Sequence, residues 1–179
     1  REQVPGLVDP AGYLWPEIPE VYAHGTPEQA LIEGRAQIKR ALAAGVDVTH
    51  LDSHMGTMQY HPGYMKAYLQ LAVEFDLPVR MASQETLVRR GHPEIRAQVA
   101  AQGVVSPDYF VFDELKNEKN DVKSFWLGVV KNLKPGVTEL YIHAGLPNDE
   151  LKAITGSWST RAQEFEVFTH SEEMKQLIA

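Results

Sequence analysis

Apolar positions recur along this chain with two alternating periods. Thr26-Pro27-Glu28 reads as a cap followed by proline at the first helical position. Behind it Ala30, Leu31, Ile38, Ala41 and Leu42 line one face of a helix that runs to about Ala44 and stops at Gly45. The same period in Tyr64, Met65, Tyr68, Leu69, Ala72 and Val73 predicts a helix over 62–75, and further helices are expected at 86–90, 93–102, 122–133, 149–154, 159–163 and 171–178. Between them, short apolar runs predict strands at 46–52, 77–82, 109–112, 138–143 and 165–168. The first 25 residues carry Pro5, Pro10, Pro16 and Pro19 among several glycines and read as an irregular loop, although Leu7, Val8, Tyr13, Leu14 and Trp15 make it more apolar than a flexible linker.

A helix followed by strand and helix in turn, about five times over, is the order of an α/β protein whose parallel strands are joined by helical crossovers, in an open sheet or a barrel. Residues 1–179 are expected to form a single domain, with 1–25 irregular and 26–179 alternating. Neither GxGxxG nor GxxxxGK[ST] follows any predicted strand, so a nucleotide site has no motif under it. In barrels and open α/β sheets alike, chemistry gathers at the carboxyl ends of strands.

Those ends are rich in titratable groups. In THLDSHMGTM, residues 49–58, an extended backbone puts His50, Asp52 and His54 on one face and Thr49, Leu51 and Ser53 on the other. Arg80 lies in the second predicted strand, Asp113 and Glu114 follow the third, His143 ends the fourth and His170 follows the fifth. His54 is a candidate divalent-metal ligand, with Asp52 as second ligand, orienting partner or base; the bland alternative is surface chemistry. His50, further back, reads as a hydrogen-bonded interior residue or as one that supports the site's ligands from behind. Arg80 pairs either with Asp52 or another carboxylate of the site, or in a surface ion pair. In TELYIHAGLP the apolar Leu140 and Ile142 share one face, so His143 projects with Tyr141 from the other. An imidazole there can protonate a leaving amine, since both its forms are populated near neutrality; otherwise it caps the loop at Gly145. His61 precedes Pro62 and reads as a helix cap. Trp158, in GSWST, is the best candidate for a wall facing a sugar ring, while Trp15 and Trp126 read as core.

Composition narrows the choices. With 44% hydrophobic and 23% charged residues this is an ordinary folded chain. Its 17 basic and 24 acidic residues give a net charge of −7, and the positives are scattered, so nucleic acid is not an expected partner. Zero cysteines remove disulfides, thiolate metal sites and a cysteine nucleophile, leaving His, Asp and Glu as the strong ligands. No apolar run approaches the roughly 20 residues that cross a bilayer, so no membrane partner is expected and a cytoplasmic location is the working expectation.

THLDSH at a strand end, LPVRM downstream, LYIHAG later and VPGLVDPAGYLW upstream, in this order, resemble the YdjC/ChbG-like family of carbohydrate deacetylases. The resemblance runs through nearly the whole chain. It implies a metal-dependent hydrolase that removes acetyl groups from N-acetylated sugars or oligosaccharides, built on a variant (β/α) barrel of the TIM type that holds one divalent ion, Mg or Zn. It carries the metal-ligand role onto His54, the general-acid role onto His143, an active-site Asp onto Asp52 and a basic neighbour onto Arg80, and makes a small carbohydrate the partner, with a homo-oligomer left open. The family's other two ligands, an Asp of an NADDFG-like strand and an early His, have no counterpart here, and Met55-Gly56 follows His54 where many members continue DSHxH. About five strands would also leave a barrel open at its edges. The chain is therefore expected to be roughly the carboxyl-terminal two thirds of a longer barrel. The competing readings are a non-catalytic sugar-binding protein that keeps the fold, and a metal-dependent hydrolase of a non-sugar amide.

Overall fold

In the computed structural model, which describes residues 2–112 and 121–179, the chain divides into one unit up to Pro107 and another from Asp108. Helices dominate the first. The opening segment expected to be irregular contains a helix, α1 (Ile18–His24), with Pro19 in its first turn. Proline costs nothing there because those N–H groups have no intrahelical acceptor, so this breaker marks a helix start. The next helix, α2 (Pro27–Ala43), begins as expected, with Thr26 accepting the Gln29 amide at 3.3 Å. The apolar period of 62–75 becomes α3 (Pro62–Phe75), capped by His61 Nδ1, which accepts from the Gly63 amide at 3.1 Å, and closed by Asp76 in the left-handed region. It packs on α2, where Gly34 lets the Leu71 side chain approach closely and Arg35 makes a two-pronged pair with Glu74 at 2.7 Å each.

Two further helices follow, α4 (Gln84–Arg89) and α5 (Ile95–Ala101). The strands expected at 46–52 and 77–82 shrink to one parallel bridge between Leu51 and Val79. The Leu51 amide donates to the Pro78 carbonyl at 2.8 Å, the Arg80 amide donates back to the Leu51 carbonyl at 2.9 Å, and the Val79 amide reaches the Val105 carbonyl at 2.9 Å. Upstream of this crossing Val46 is 54% exposed, and the Val46 amide turns back to the Ala41 carbonyl. A strand needs a neighbour, and residues 46–50 pair with none among the described residues. Leu51, Val79, Met81 and Val104 join Tyr68, Leu71 and Ala72 of α3 in a buried apolar cluster.

The second unit is built on a parallel pair, β1 (Tyr109–Phe112) and β2 (Thr138–Tyr141), in register from Tyr109 opposite Thr138 to Phe112 opposite Tyr141. Between them in sequence lies α6 (Val122–Lys131), capped by Asp121, and after them come α7 (Asp149–Ile154), α8 (Trp158–Thr169) and α9 (Glu172–Ile178). The short strand expected at 165–168 is the last part of α8. Glu164, Val167 and Phe168 recur at helical spacing, Val167 is buried, and the Phe168 ring meets the Trp126 indole edge-on at 5.4 Å, so a run too short to declare its period is absorbed by the helix that precedes it. Val122, Trp126, Leu127, Val167 and Met174 form this unit's core. An α/β chain with a small parallel sheet among helices is thus present, whereas a complete (β/α) barrel is not formed by the described residues.

Candidate functional site

The alternation predicted for residues 50–54 survives although the ladder does not. Leu51 and Ser53 are buried, each 8% exposed, while His50, Asp52 and His54 face outward. The crossing with Val79 holds Leu51 inward, and the Ser53 hydroxyl accepts the Met58 amide at 2.8 Å. Beyond it, Met55 (φ 56°) and Gly56 (φ 74°) both take the left-handed conformation and turn the chain sharply at His54. The Tyr22 hydroxyl ties this turn to α1 by donating to the Thr57 carbonyl at 2.5 Å, and burial pushes that phenol above its ordinary pKa.

Asp52 and Arg80 come together because their segments cross. The buried Tyr68 hydroxyl donates to the Leu51 carbonyl at 2.6 Å and lies 3.3 Å from the Arg80 carbonyl, which also accepts from Gln59 Nε2 at 3.3 Å. One guanidinium nitrogen of Arg80 donates to Asp52 Oδ2, and Oδ1 accepts the Ser53 amide at 2.7 Å. Of the two pairings read for Arg80, the fold adopts the one with Asp52. The Arg80 side chain is 13% exposed and that of Asp52 35%, so the pair sits at a rim. This suits Asp52 better to holding and orienting than to acting as an unencumbered base. The His54 imidazole, one residue past Ser53, has no hydrogen-bond partner among the described residues. His50 is exposed with Nδ1 2.9 Å from the Thr49 hydroxyl, not interior as expected, because no paired strand extends back from Leu51 to cover it.

Asp52 and His54 offer two donors of the type a divalent ion takes. Among the described residues no three or more His, Cys, Asp or Glu side chains converge, so these residues alone do not complete a metal centre.

His143 and Trp158 belong to the second unit. Leu140 and Ile142 pack into its core, while the Tyr141 and His143 rings meet edge to face at 4.4 Å on the other side of the strand end, the orientation expected from the alternation. The His143 amide donates to Glu164 Oε2 at 2.7 Å, and Glu164 Oε1 accepts the Trp126 indole N–H at 3.3 Å. Glu164 is only 2% exposed and was not singled out from sequence. The signal available was a lone charge on the apolar stripe that continues through Val167 and Phe168. Trp158 opens α8, 37% exposed, with the Lys152 ammonium 5.6 Å from its ring centre. His170 caps α8 and sits 3.4 Å from Glu166 on the surface, its supposed strand being helical. Asp113 and Glu114 lie outside the described residues.

A groove of about 540 Å³ in the first unit runs between α3 and α5, lined by Met65, Leu69, Met81, Leu87 and Ile95 with Gln59, Arg90 and His92 at its polar edge. Asp52, His54 and Arg80 do not line it; its link to them is Gln59, which bonds the Arg80 carbonyl. No helix among the described residues is long and apolar enough to cross a membrane.

Comparison with known proteins places these features in a lineage. A carbohydrate deacetylase of Thermoanaerobacter pseudethanolicus is 28% identical over 178 residues, covering 97% of this chain and 65% of the relative. A carbohydrate deacetylase of Enterococcus faecalis is 28% identical over 182 residues, covering 99% of this chain and 65% of the relative. A crystal structure from Enterococcus faecalis V583, of a candidate cellobiose-phosphate cleavage protein, superposes with a TM-score of 0.73 at 27% identity, over 99% of this chain and 66% of that one. The chain thus spans just under two thirds of the length of these relatives. The model of the family described as YdjC-like protein matches residues 1–179, and with the four sequence segments and the α/β fold in place, the chain belongs to the YdjC-like family.

Proposed function

We propose that this protein is a carbohydrate deacetylase, a hydrolase that releases acetate from an N-acetylated sugar or oligosaccharide and leaves the free amino sugar. The observation that carries this is the match of the whole chain to the family together with two relatives of that name, each covering nearly the whole of this chain. In this reading the described residues are part of a (β/α) barrel, and the parallel register of β1 with β2 and of Leu51 with Val79, each with helices alongside, supports it.

Hydrolysis of the acetamide adds water to the carbonyl carbon and breaks the C–N bond, and the departing amine needs a proton. His143, exposed at the end of β2 with its backbone anchored, is the general acid, moving a proton from its imidazole to that nitrogen. Asp52, held by Arg80, orients polar groups beside it, and Trp158 presents an aromatic face to a sugar ring. In this reading one divalent ion, Mg or Zn, would be held in part by His54 and would polarise the acetamide carbonyl toward attack by water.

The test is acetate release from a short N-acetylglucosamine oligosaccharide, with metal analysis of the purified protein. Turnover with a stoichiometric divalent ion is expected, and His143→Ala should lower kcat by about 10²–10⁴-fold, the span of general acid catalysis. Absence of acetate release with either ion rejects the enzyme. The incomplete ligand set among the described residues favours a second reading, a sugar-binding protein without turnover. Oligosaccharide binding by metal-free, inactive protein would select it.

A further inference from the structure

We infer that Glu164 is a positioning residue for His143, a role that rests on the general-acid reading of that imidazole. Three observations converge on it. First, Glu164 is 2% exposed in a core otherwise made of Val122, Trp126, Leu127, Val167 and Met174, and no described Lys, Arg or His forms an ion pair with it. A carboxyl group is costly to bury, and a position that only needed filling would hold an apolar side chain. Second, both carboxyl oxygens are committed, Oε2 to the His143 amide at 2.7 Å and Oε1 to the Trp126 indole at 3.3 Å. The shorter bond goes to the backbone of the candidate acid. Third, α8 grips the same loop again one turn earlier, where the Arg161 carbonyl accepts the Gly145 amide at 3.0 Å.

Among the described residues the register of β1 with β2 runs as far as Tyr141, two positions before His143. Glu164 supplies the acceptor for the His143 backbone amide. By fixing the His143 amide it sets the direction of the Cα–Cβ bond, and so keeps the imidazole edge-on to the Tyr141 ring at 4.4 Å. Trp126 buttresses the carboxylate from the core side. Glu164 reaches the His143 amide, not its ring, so it acts through position and takes no proton in the reaction.

The test uses NMR on the whole protein, with kinetics beside it. In the native protein the His143 amide should exchange slowly; rapid exchange would overturn the bond. In Glu164→Gln the acceptor is weakened at nearly constant shape. The His143 ring protons, shifted natively by the Tyr141 ring current and assigned by their loss in His143→Gln, should move toward unstructured values while those of His170 stay put. Acetate release should fall about tenfold in kcat with KM within twofold. Unchanged His143 ring shifts in a folded Glu164→Gln protein overturn the proposal. Trp126→Phe removes the indole donor and some core packing but leaves the Glu164 acceptor, and is expected to lower the melting temperature while leaving the His143 amide protected; loss of that protection in the folded protein overturns the assignment to Glu164. Should His143→Ala keep full activity, the general-acid reading fails by itself, and the ring shifts still decide whether Glu164 sets the imidazole's place.

Discussion

Tyr68→Phe isolates the contribution of one hydroxyl to the crossing that brings Asp52 and Arg80 together. The ring is 2% exposed in the core of the first unit, and its hydroxyl donates to the Leu51 carbonyl at 2.6 Å. Removing the oxygen leaves neither nearby carbonyl orphaned, because Leu51 still accepts the Arg80 amide at 2.9 Å and Arg80 still accepts Gln59 Nε2 at 3.3 Å. The cost is then the net value of one hydrogen bond, about 1 kcal/mol, without the larger penalty of a stranded buried acceptor. For a chain of this size that is a fall of roughly 2–4 °C in melting temperature. Urea unfolding followed by circular dichroism should show a lower midpoint at an unchanged slope. Tyr68→Ala removes the ring as well and should cost about 3–5 kcal/mol. A Tyr68→Phe protein as stable as the parent, or destabilised as much as Tyr68→Ala, would refute the reasoning, the first by showing the bond inert and the second by showing the carbonyls dependent on it.

Arg80→Gln removes the charged partner of Asp52 at a rim where solvent screens it, so a loss of about 1 kcal/mol is expected by thermal melting, with a fall in acetate release. Asp121→Ala strips the cap of α6, where the carboxylate accepts the Ser124 amide at 2.9 Å, and should lower the midpoint in urea titration. The Ser124 side-chain and amide hydrogen bonds hold Asp121 below the ordinary carboxylate range, as Arg35 does for Glu74 and Lys131 for Glu173. These groups bind protons less readily folded than unfolded, so their stabilisation is complete above a pH of about 5 and is lost progressively as acid takes the pH down through their lowered values; melting curves from pH 7 down to 3 should show it, with a smaller acid loss in Asp121→Ala. Gly34→Ala gains about 1 kcal/mol of helix propensity in α2 but places a methyl 2.5 Å from Leu71 Cδ1, so melting should show no net gain, and a clearly stabilised variant would mean that Leu71 yields freely.

What the residues alone determined is local. A helix closes its hydrogen bonds within four residues, so caps and apolar period are enough: Thr26 and Pro27 start α2, and the 62–75 pattern becomes α3 residue for residue. Side-chain alternation is equally local, which is why Asp52 and His54 face outward and His143 shares a side with Tyr141. Strand extent is not local, because each backbone group needs an acceptor from far along the chain; 46–52 and 77–82 therefore reduce to a single bridge, and 165–168 follows the helix it continues. Tertiary structure alone decided that Arg80 crosses 28 positions to reach Asp52, and that a glutamate on an apolar stripe lies buried beneath the His143 amide. Both depend on which segments pack side by side, and a charged residue's spacing in sequence carries no record of the partner it will meet.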